Sequence, residues 1–202
     1  MDARLYLIRH GVTEANRRTV YAGQSDDSLL PEAWPQAWHL ADYLATQGVS
    51  RVVSSPQRRA KETASMLAEK ISAPVEMCER VAEMGMGPWT GLTDTEIAQE
   101  YPVAWREWRE NPGSVSFEGF EGLSRLQERV VSWLGTLSEP DFSNGGVAVY
   151  THETVIKVCA CWCLGTSLAS YRNLAVPNLS VSSLVLDGDV WRLRSLNELP
   201  AG

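Results

Sequence analysis

The chain has 202 residues, 44% of them hydrophobic and 21% charged. That is ordinary globular usage and excludes a collagen, a disordered tail and a disulfide-stapled mini-protein. Lys and Arg total 18 against 25 Asp and Glu, a formal net charge of −7; such a chain lacks the broad positive field of a nucleic-acid binder, while a local basic pocket stays open.

Residues 4–8 predict a short buried strand, and the polar stretch 9–30 that follows reads as loop. Trp34, Ala37, Trp38, Ala41, Leu44 and Ala45 keep the 3.6-residue period of a helix that Pro35 helps to start and Gly48 stops. Residues 51–54 predict a second strand. Ser55-Pro56 then predicts an N-cap with proline at the first helical position, and Ala60, Thr63, Ala64, Leu67 and Ile71 form the buried side of that helix. Three Gly and one Pro make 81–92 a loop, and Thr93 with Glu96 predicts a capping box. Trp105 and Trp108 belong to a helix ending near 111–113, and Leu123, Leu126, Val130, Leu134 and Leu137 mark the next one. Residues 146–150 predict a third strand. The stretch 154–164 is apolar almost all round and predicts a buried helix. Residues 181–186 and 190–193 flank Asp187-Gly188-Asp189 as a terminal hairpin.

This alternation implies an α/β fold: a mostly parallel sheet covered on both faces, a three-layer α/β/α sandwich, with the helical stretch 81–137 inserted over it. One domain over 1–202 is expected. The apolar run 5–8 is too short for a signal peptide, and no segment approaches the ~18 apolar residues of a membrane span. Cys78, Cys159, Cys161 and Cys163 contain no C-x-x-C pair, so free thiols, no metal site and a cytoplasmic location are the expectation.

The rare polar residues fall in a telling pattern. The chain has three His, and two of them, His10 and His152, directly follow predicted strands. In an open parallel sheet the carboxyl ends of the strands form the ligand crevice. Arg59 lies just beyond a third strand end, and Arg9 precedes His10. Two imidazoles and two guanidiniums beside the Gly11 backbone and a helix N-terminus would suit a phosphate dianion. Spacing alone leaves open whether they meet. Asn16 and Glu83 sit in loops, and Glu79, Glu118 and Glu121 compete with Glu83 as the acid of such a site. His39 lies beside an apolar stripe and is given no role.

Four segments carry a resemblance. Leu7-Ile8-Arg9-His10-Gly11 with Thr13 and Asn16 resembles the L-I-R-H-G-x-T-x-x-N signature of the histidine phosphatase superfamily, the phosphoglycerate-mutase-like fold. Residues 54–63 resemble its S-S-P-x-x-R-A-x-x-T segment, 83–91 its E-x-x-x-G-x-W-x-G loop, and 149–152 the strand bearing its second histidine. The order and spacing agree from residue 5 to about 195.

The resemblance implies that His10 is the nucleophile and forms a phosphohistidine. It implies that Arg9, Arg59 and His152 bind the phosphoryl oxygens with Asn16 as a further donor, and that Glu83 is the general acid and then the base for water. Attack through a ring nitrogen splits hydrolysis into two displacements; the other nitrogen must be held, by a backbone carbonyl, to fix the tautomer. Guanidiniums stabilise the equatorial oxygens without a metal or other cofactor.

The implied function is a phosphomonoesterase of the compact phosphatase branch, acting on a small phosphorylated metabolite. No nucleic acid or membrane partner is expected, and a homodimer is allowed. Phosphoglycerate-mutase-type transfer, α-ribazole-phosphate phosphatase activity and a weakly active phospho-ligand-binding relative stand as alternatives. Two places depart from the family pattern. The segment after Asp26-Asp27 differs from its usual P-L-T-x-x-G form. Glu153 follows His152 where the family usually has small residues; it is expected to point outward at the start of the following helix, since an inward carboxylate would repel phosphate unless the substrate carried a cation.

Overall fold

The computed structural model describes residues 3–199; the ends of the expected domain span, 1–2 and 200–202, lie outside the described residues. Strand β1 (Ala3–Arg9) leads into a one-turn helix α1 (Glu14–Arg17), capped by Thr13 in a capping box with Asn16. Helix α2 (Ala33–Thr46), strand β2 (Val49–Ser54), helix α3 (Arg58–Ile71) and the short strand β3 (Val75–Met77) follow. Then come the helical α4 (Asp94–Glu100), α5 (Pro102–Glu110) and α6 (Leu123–Leu134), the strand β4 (Gly146–Thr151), helix α7 (Glu153–Cys163) and the hairpin β5 (Val181–Asp187) and β6 (Val190–Glu198).

The strands form one sheet in the order β3-β2-β4-β1-β5-β6. The first four are mutually parallel; β5 and β6 add an antiparallel edge. Period-two alternation sorts the side chains onto two faces. Leu5, Leu7, Val147 and Val149 join α6, α7 and the aromatic residues of the insertion in one core. Tyr6, Ile8, Ala148 and Tyr150 meet α2 and α3 in the other. Because both faces are covered, β4 is buried along its whole length, and its sequence is a continuous apolar run rather than an alternating one. This is the expected three-layer sandwich.

The differences from expectation are local. Strand β3 was not anticipated: three residues, none fully buried, give little signal. Nor was α1, a single turn held by its own cap. Helix α3 does not begin with Ser55 as N-cap and Pro56 at N1. It starts at Arg58, with Gln57 at the cap position. The Ser55 amide still bonds to the Tyr150 carbonyl across the sheet (2.9 Å), its hydroxyl is engaged elsewhere, and the first helical N–H, of Arg58, is accepted by Asp26 Oδ1 at 3.0 Å. A carboxylate from a distant loop thus does the capping.

The insertion owes its shape to Trp89. This fully buried ring meets Tyr21, Trp105, Trp108, Phe117 and Phe120 with centroids 5.1–6.2 Å apart, in the tilted and edge-on arrangements aromatic pairs favour. Gly87, at φ +53°, lets the 83–89 loop press against the 113–122 segment. A Cβ there would lie 2.6 Å from the carbonyl carbon and oxygen of Gly119. Replacing Gly87 by Ala adds both a steric clash and a left-handed backbone penalty. The expected loss is about 1–3 kcal/mol, a drop of roughly 2–12 °C in Tm by thermal unfolding.

Candidate active site

The parallel ladder between β1 and β4 pairs Arg9 with Thr151. The next residue on each chain is therefore a histidine at the carboxyl edge of the sheet, and the two rings lie 5.1 Å apart. His10 is 4% exposed. Its Nδ1 sits 2.7 Å from the Gly11 carbonyl oxygen, which can only accept, so Nδ1 carries the proton. Arg59 Nε donates to His10 Nε2 at 3.2 Å, so Nε2 presents its lone pair. The Gly11 amide is itself held by Thr63 Oγ1 (3.1 Å), whose hydroxyl donates to the Arg59 carbonyl (2.7 Å).

Burial drives the His10 pKa well below its ordinary value, and Arg59 and Arg9 push the same way; only the Gly11 hydrogen bond opposes them. His10 is therefore neutral at physiological pH. His152 is likewise depressed, first by burial and then by Arg59, His10, Arg9 and Arg129. A site crowded with cations keeps its histidines uncharged.

Arg59 is fully buried on the first turn of α3 and donates to the carbonyls of Gly23 and Ser25, each at 2.7 Å. Arg9 reaches the Val176 carbonyl and, at 2.9 Å, the Glu153 carboxylate, while its Nε is buried with no partner. Asn16 Oδ1 accepts from the Thr13 amide (3.1 Å) and from Asn178 Nδ2 (3.2 Å), which turns its NH₂ the other way. Arg9, His10, Asn16, Arg59 and Glu83 line one cavity of about 400 Å³. His152 is fully buried beside His10 and does not line it; its Nδ1 has no partner.

Among the four acids weighed, only Glu83 reaches this cavity. Glu79 and Glu118 are exposed. Glu121 pairs with Arg129 (2.6 Å) and accepts the Gly85 amide (2.9 Å). Arg129 in turn donates to the carbonyls of Arg80, Ala82 and Glu83, so this pair clamps the loop that presents Glu83. Desolvation raises the Glu83 pKa, against the Met84 amide and Arg59, with Glu153 adding to the rise.

Glu153 departs from the outward orientation expected of it: it lines the cavity. Its charge is tolerated because Arg9 holds one oxygen and Lys157 the other, at 2.5 Å, and Lys157 in turn lies 4.7 Å over the Tyr171 ring. The i,i+4 spacing of Glu153 and Lys157, with a lysine stranded in an apolar helix, was a readable signal. Arg172 and Asp94 also line the cavity and were not singled out, since single charges in loops carry no pattern. His39 is exposed on α2. The four cysteines are free, two of them fully buried. Among the described residues no helix is long and apolar enough to cross a membrane.

Comparison with known proteins agrees with this geometry. The family model described as histidine phosphatase superfamily (branch 1) matches residues 5–199. Phosphoserine phosphatase 1 of Hydrogenobacter thermophilus is 30% identical over 184 residues, 91% of this chain and 87% of that protein. The adenosylcobalamin/alpha-ribazole phosphatase of Salmonella typhimurium is 29% identical over 191 residues, 93% of this chain and 88% of that one. Among solved structures, the mycobacterial glucosyl-3-phosphoglycerate phosphatase in complex with VO3 superimposes with a TM-score of 0.86 at 29% identity, covering 96% of this chain and 99% of the other. The chain belongs to the histidine phosphatase superfamily, branch 1, and is a phosphoric monoester hydrolase of that family.

The Glu153 carboxylate opposes any anion in this cavity. Glu153→Gln is expected to tighten inorganic phosphate, measured as a competitive inhibitor, by about fivefold at low ionic strength, and by less as salt screens the pair.

Proposed function

We propose that the protein hydrolyses the phosphomonoester of a small metabolite, without a metal, through a phosphohistidine on His10. The observation that carries this reading is the protonation pattern at one cavity. A neutral histidine offers its Nε2 lone pair, the buried Arg59 and the half-buried Arg9 stand beside it, and a carboxyl group of raised pKa lines the same cavity.

In the first displacement His10 Nε2 attacks phosphorus, the ester P–O bond breaks, and Glu83 gives its proton to the departing oxygen. In the second, Glu83 takes a proton from water as the water oxygen attacks phosphorus. The N–P bond breaks, inorganic phosphate leaves, and both groups return to their starting protonation. Arg59, whose Nε donates to Nε2, gives that N–H and its remaining terminal N–H groups to the phosphoryl oxygens. Arg9 and the Asn16 NH₂ supply others, and His152 Nδ1 joins them once it carries a proton. These donors stabilise charge that is spread over the equatorial oxygens in the transition state. Nδ1–H bonded to Gly11 keeps the ring from turning or changing tautomer.

The rim carries both signs of charge, Asp94 and Glu153 against Lys157 and Arg172. That favours a leaving group bearing both an ammonium and a carboxylate, as phosphoserine does, over the neutral sugar and base of α-ribazole phosphate. A panel containing both compounds, ranked by kcat/KM, separates the two.

With p-nitrophenyl phosphate in excess EDTA, the wild-type protein is expected to turn over and His10→Ala to be inactive. Rapid acid-free quenching should trap labelled phosphate on wild type and none on the variant; turnover by His10→Ala would assign the nucleophile elsewhere. Because the His10 pKa is lowered and that of Glu83 raised, kcat/KM should keep its acid limb below the ordinary histidine value of about 6.5. The alkaline limb follows Glu83 as it loses its proton. Glu83→Gln should lower kcat/KM for alkyl phosphates by about 10²–10⁴-fold, lower it much less for p-nitrophenyl phosphate, and remove the alkaline limb for the latter.

A further inference from the structure

Gln57 occupies an unspecified position of the 54–63 motif, yet it is buried and ties together two sides of the site. Its Oε1 accepts the Glu83 backbone N–H at 3.2 Å. A backbone amide can only donate, so the atom facing it is the oxygen. The Ser55 hydroxyl is in close contact with the same Oε1 and must therefore be its donor. Ser55 Oγ also receives the Gln57 N–H at 3.4 Å and lies 2.7 Å from His152 Nε2. With its one hydrogen committed to Gln57, Ser55 can only accept from the ring. The hydrogen-bond directions then form a single consistent chain: His152 Nε2–H to Ser55, Ser55 O–H to Gln57, and Glu83 N–H to Gln57.

We infer that Gln57 is a positioning residue that, through Ser55, locks His152 as its Nε2–H tautomer and leaves a bare Nδ1 lone pair for the phosphoryl site. His152 is thus the opposite tautomer of His10. A lone pair repels a phosphoryl oxygen, so binding there brings in one proton, carried by the phosphate monoanion or taken from solvent, to make Nδ1–H···O. The titratable groups that act on the ring are Arg9 from β1, His10 just beyond it, Arg59 from α3 and Arg129 from α6. None of them hydrogen-bonds Nδ1. The kinetic consequence rests on the function proposed above; the tautomer assignment stands on the hydrogen bonds alone.

Nitrogen-15 NMR of the three histidines, assigned with His39→Asn and His10→Ala, tests this directly. Wild type should show His10 as Nδ1–H and His152 as Nε2–H. Gln57→Leu, which frees the Ser55 hydrogen to turn toward the ring, should populate the Nδ1–H form of His152. Gln57→Glu, which still accepts from both donors, should retain the wild-type tautomer. Calorimetry of inorganic phosphate binding in buffers of different ionisation enthalpy should count fewer protons taken up by Gln57→Leu than by wild type. Its kcat/KM should fall about 3–10-fold, the effect of one net hydrogen bond. The inference is overturned by an Nδ1–H form of His152 in wild type. A folded Gln57→Leu with unchanged tautomer and proton uptake overturns it equally. An inactive wild type showing the expected tautomers would fault the catalytic reading and support this one.

Discussion

The parallel pairing of β1 with β4 is the constraint on which the site depends. Its register brings the strand ends level, so that residues 142 positions apart along the chain become neighbouring rings 5.1 Å apart. A one-residue slip of either strand would turn its histidine to the opposite face of the sheet and its apolar side chains out of their core. The register is held by burial on both faces. Leu5, Leu7, Val147 and Val149 fill one core while Tyr6, Ile8, Ala148 and Tyr150 fill the other. The same hydrophobic pattern that makes the sheet therefore sets the distance between two catalytic candidates, and neither imidazole has to be placed by a flexible loop.

Burial then does the electrostatic work. Moving an imidazole away from water penalises its charged form, and nearby arginines penalise it further. The same desolvation favours the protonated form of Glu83. One environment thus shifts both groups in the directions the proposed mechanism uses, the imidazole toward its uncharged form and the carboxyl toward its protonated form, with no separate device for each. Arg59 keeps its charge despite full burial because two backbone carbonyls accept from it and the acidic side chains of Asp27 and Asp26 favour its cation. A desolvated guanidinium anchored by two backbone carbonyls cannot move far, while its remaining N–H groups stay free for a ligand, which is what preorganised transition-state stabilisation requires.

Much of this was legible in the sequence, and the reasons are specific. Residues 4–8 and 146–150 read as strands because sheets covered on both sides demand unbroken apolar runs. His10, His152 and Arg59 followed as strand-end residues, and the family resemblance singled out Glu83 among competing acids. The parts that stayed hidden depend on contacts between distant segments. Asp26 caps α3 from another loop, so Ser55 looked like the cap. Gln57 faces both the Glu83 backbone and Ser55, and a motif with an unspecified residue at that position says nothing of either. Strand β3 is three half-exposed or exposed residues paired along one edge, too short for periodicity to register.

Glu153 shows how a local rule can mislead in a charged cavity. A carboxylate at the first position of a helix is favourable by itself, which argued for an outward, indifferent role. In the fold the same position lies between Arg9 and Lys157, and the pairing draws the side chain into the wall of the cavity. Lys157 is nearly buried, so leaving it unpaired would be costly; the carboxylate is as much its counter-ion as a neighbour of the phosphate site. The three charges sum to one positive unit, so the wall still attracts an anion while offering an acceptor to any donor on the group attached to it. A carboxylate that by itself opposes phosphate binding thus becomes the feature that distinguishes this wall of the cavity from a purely basic one.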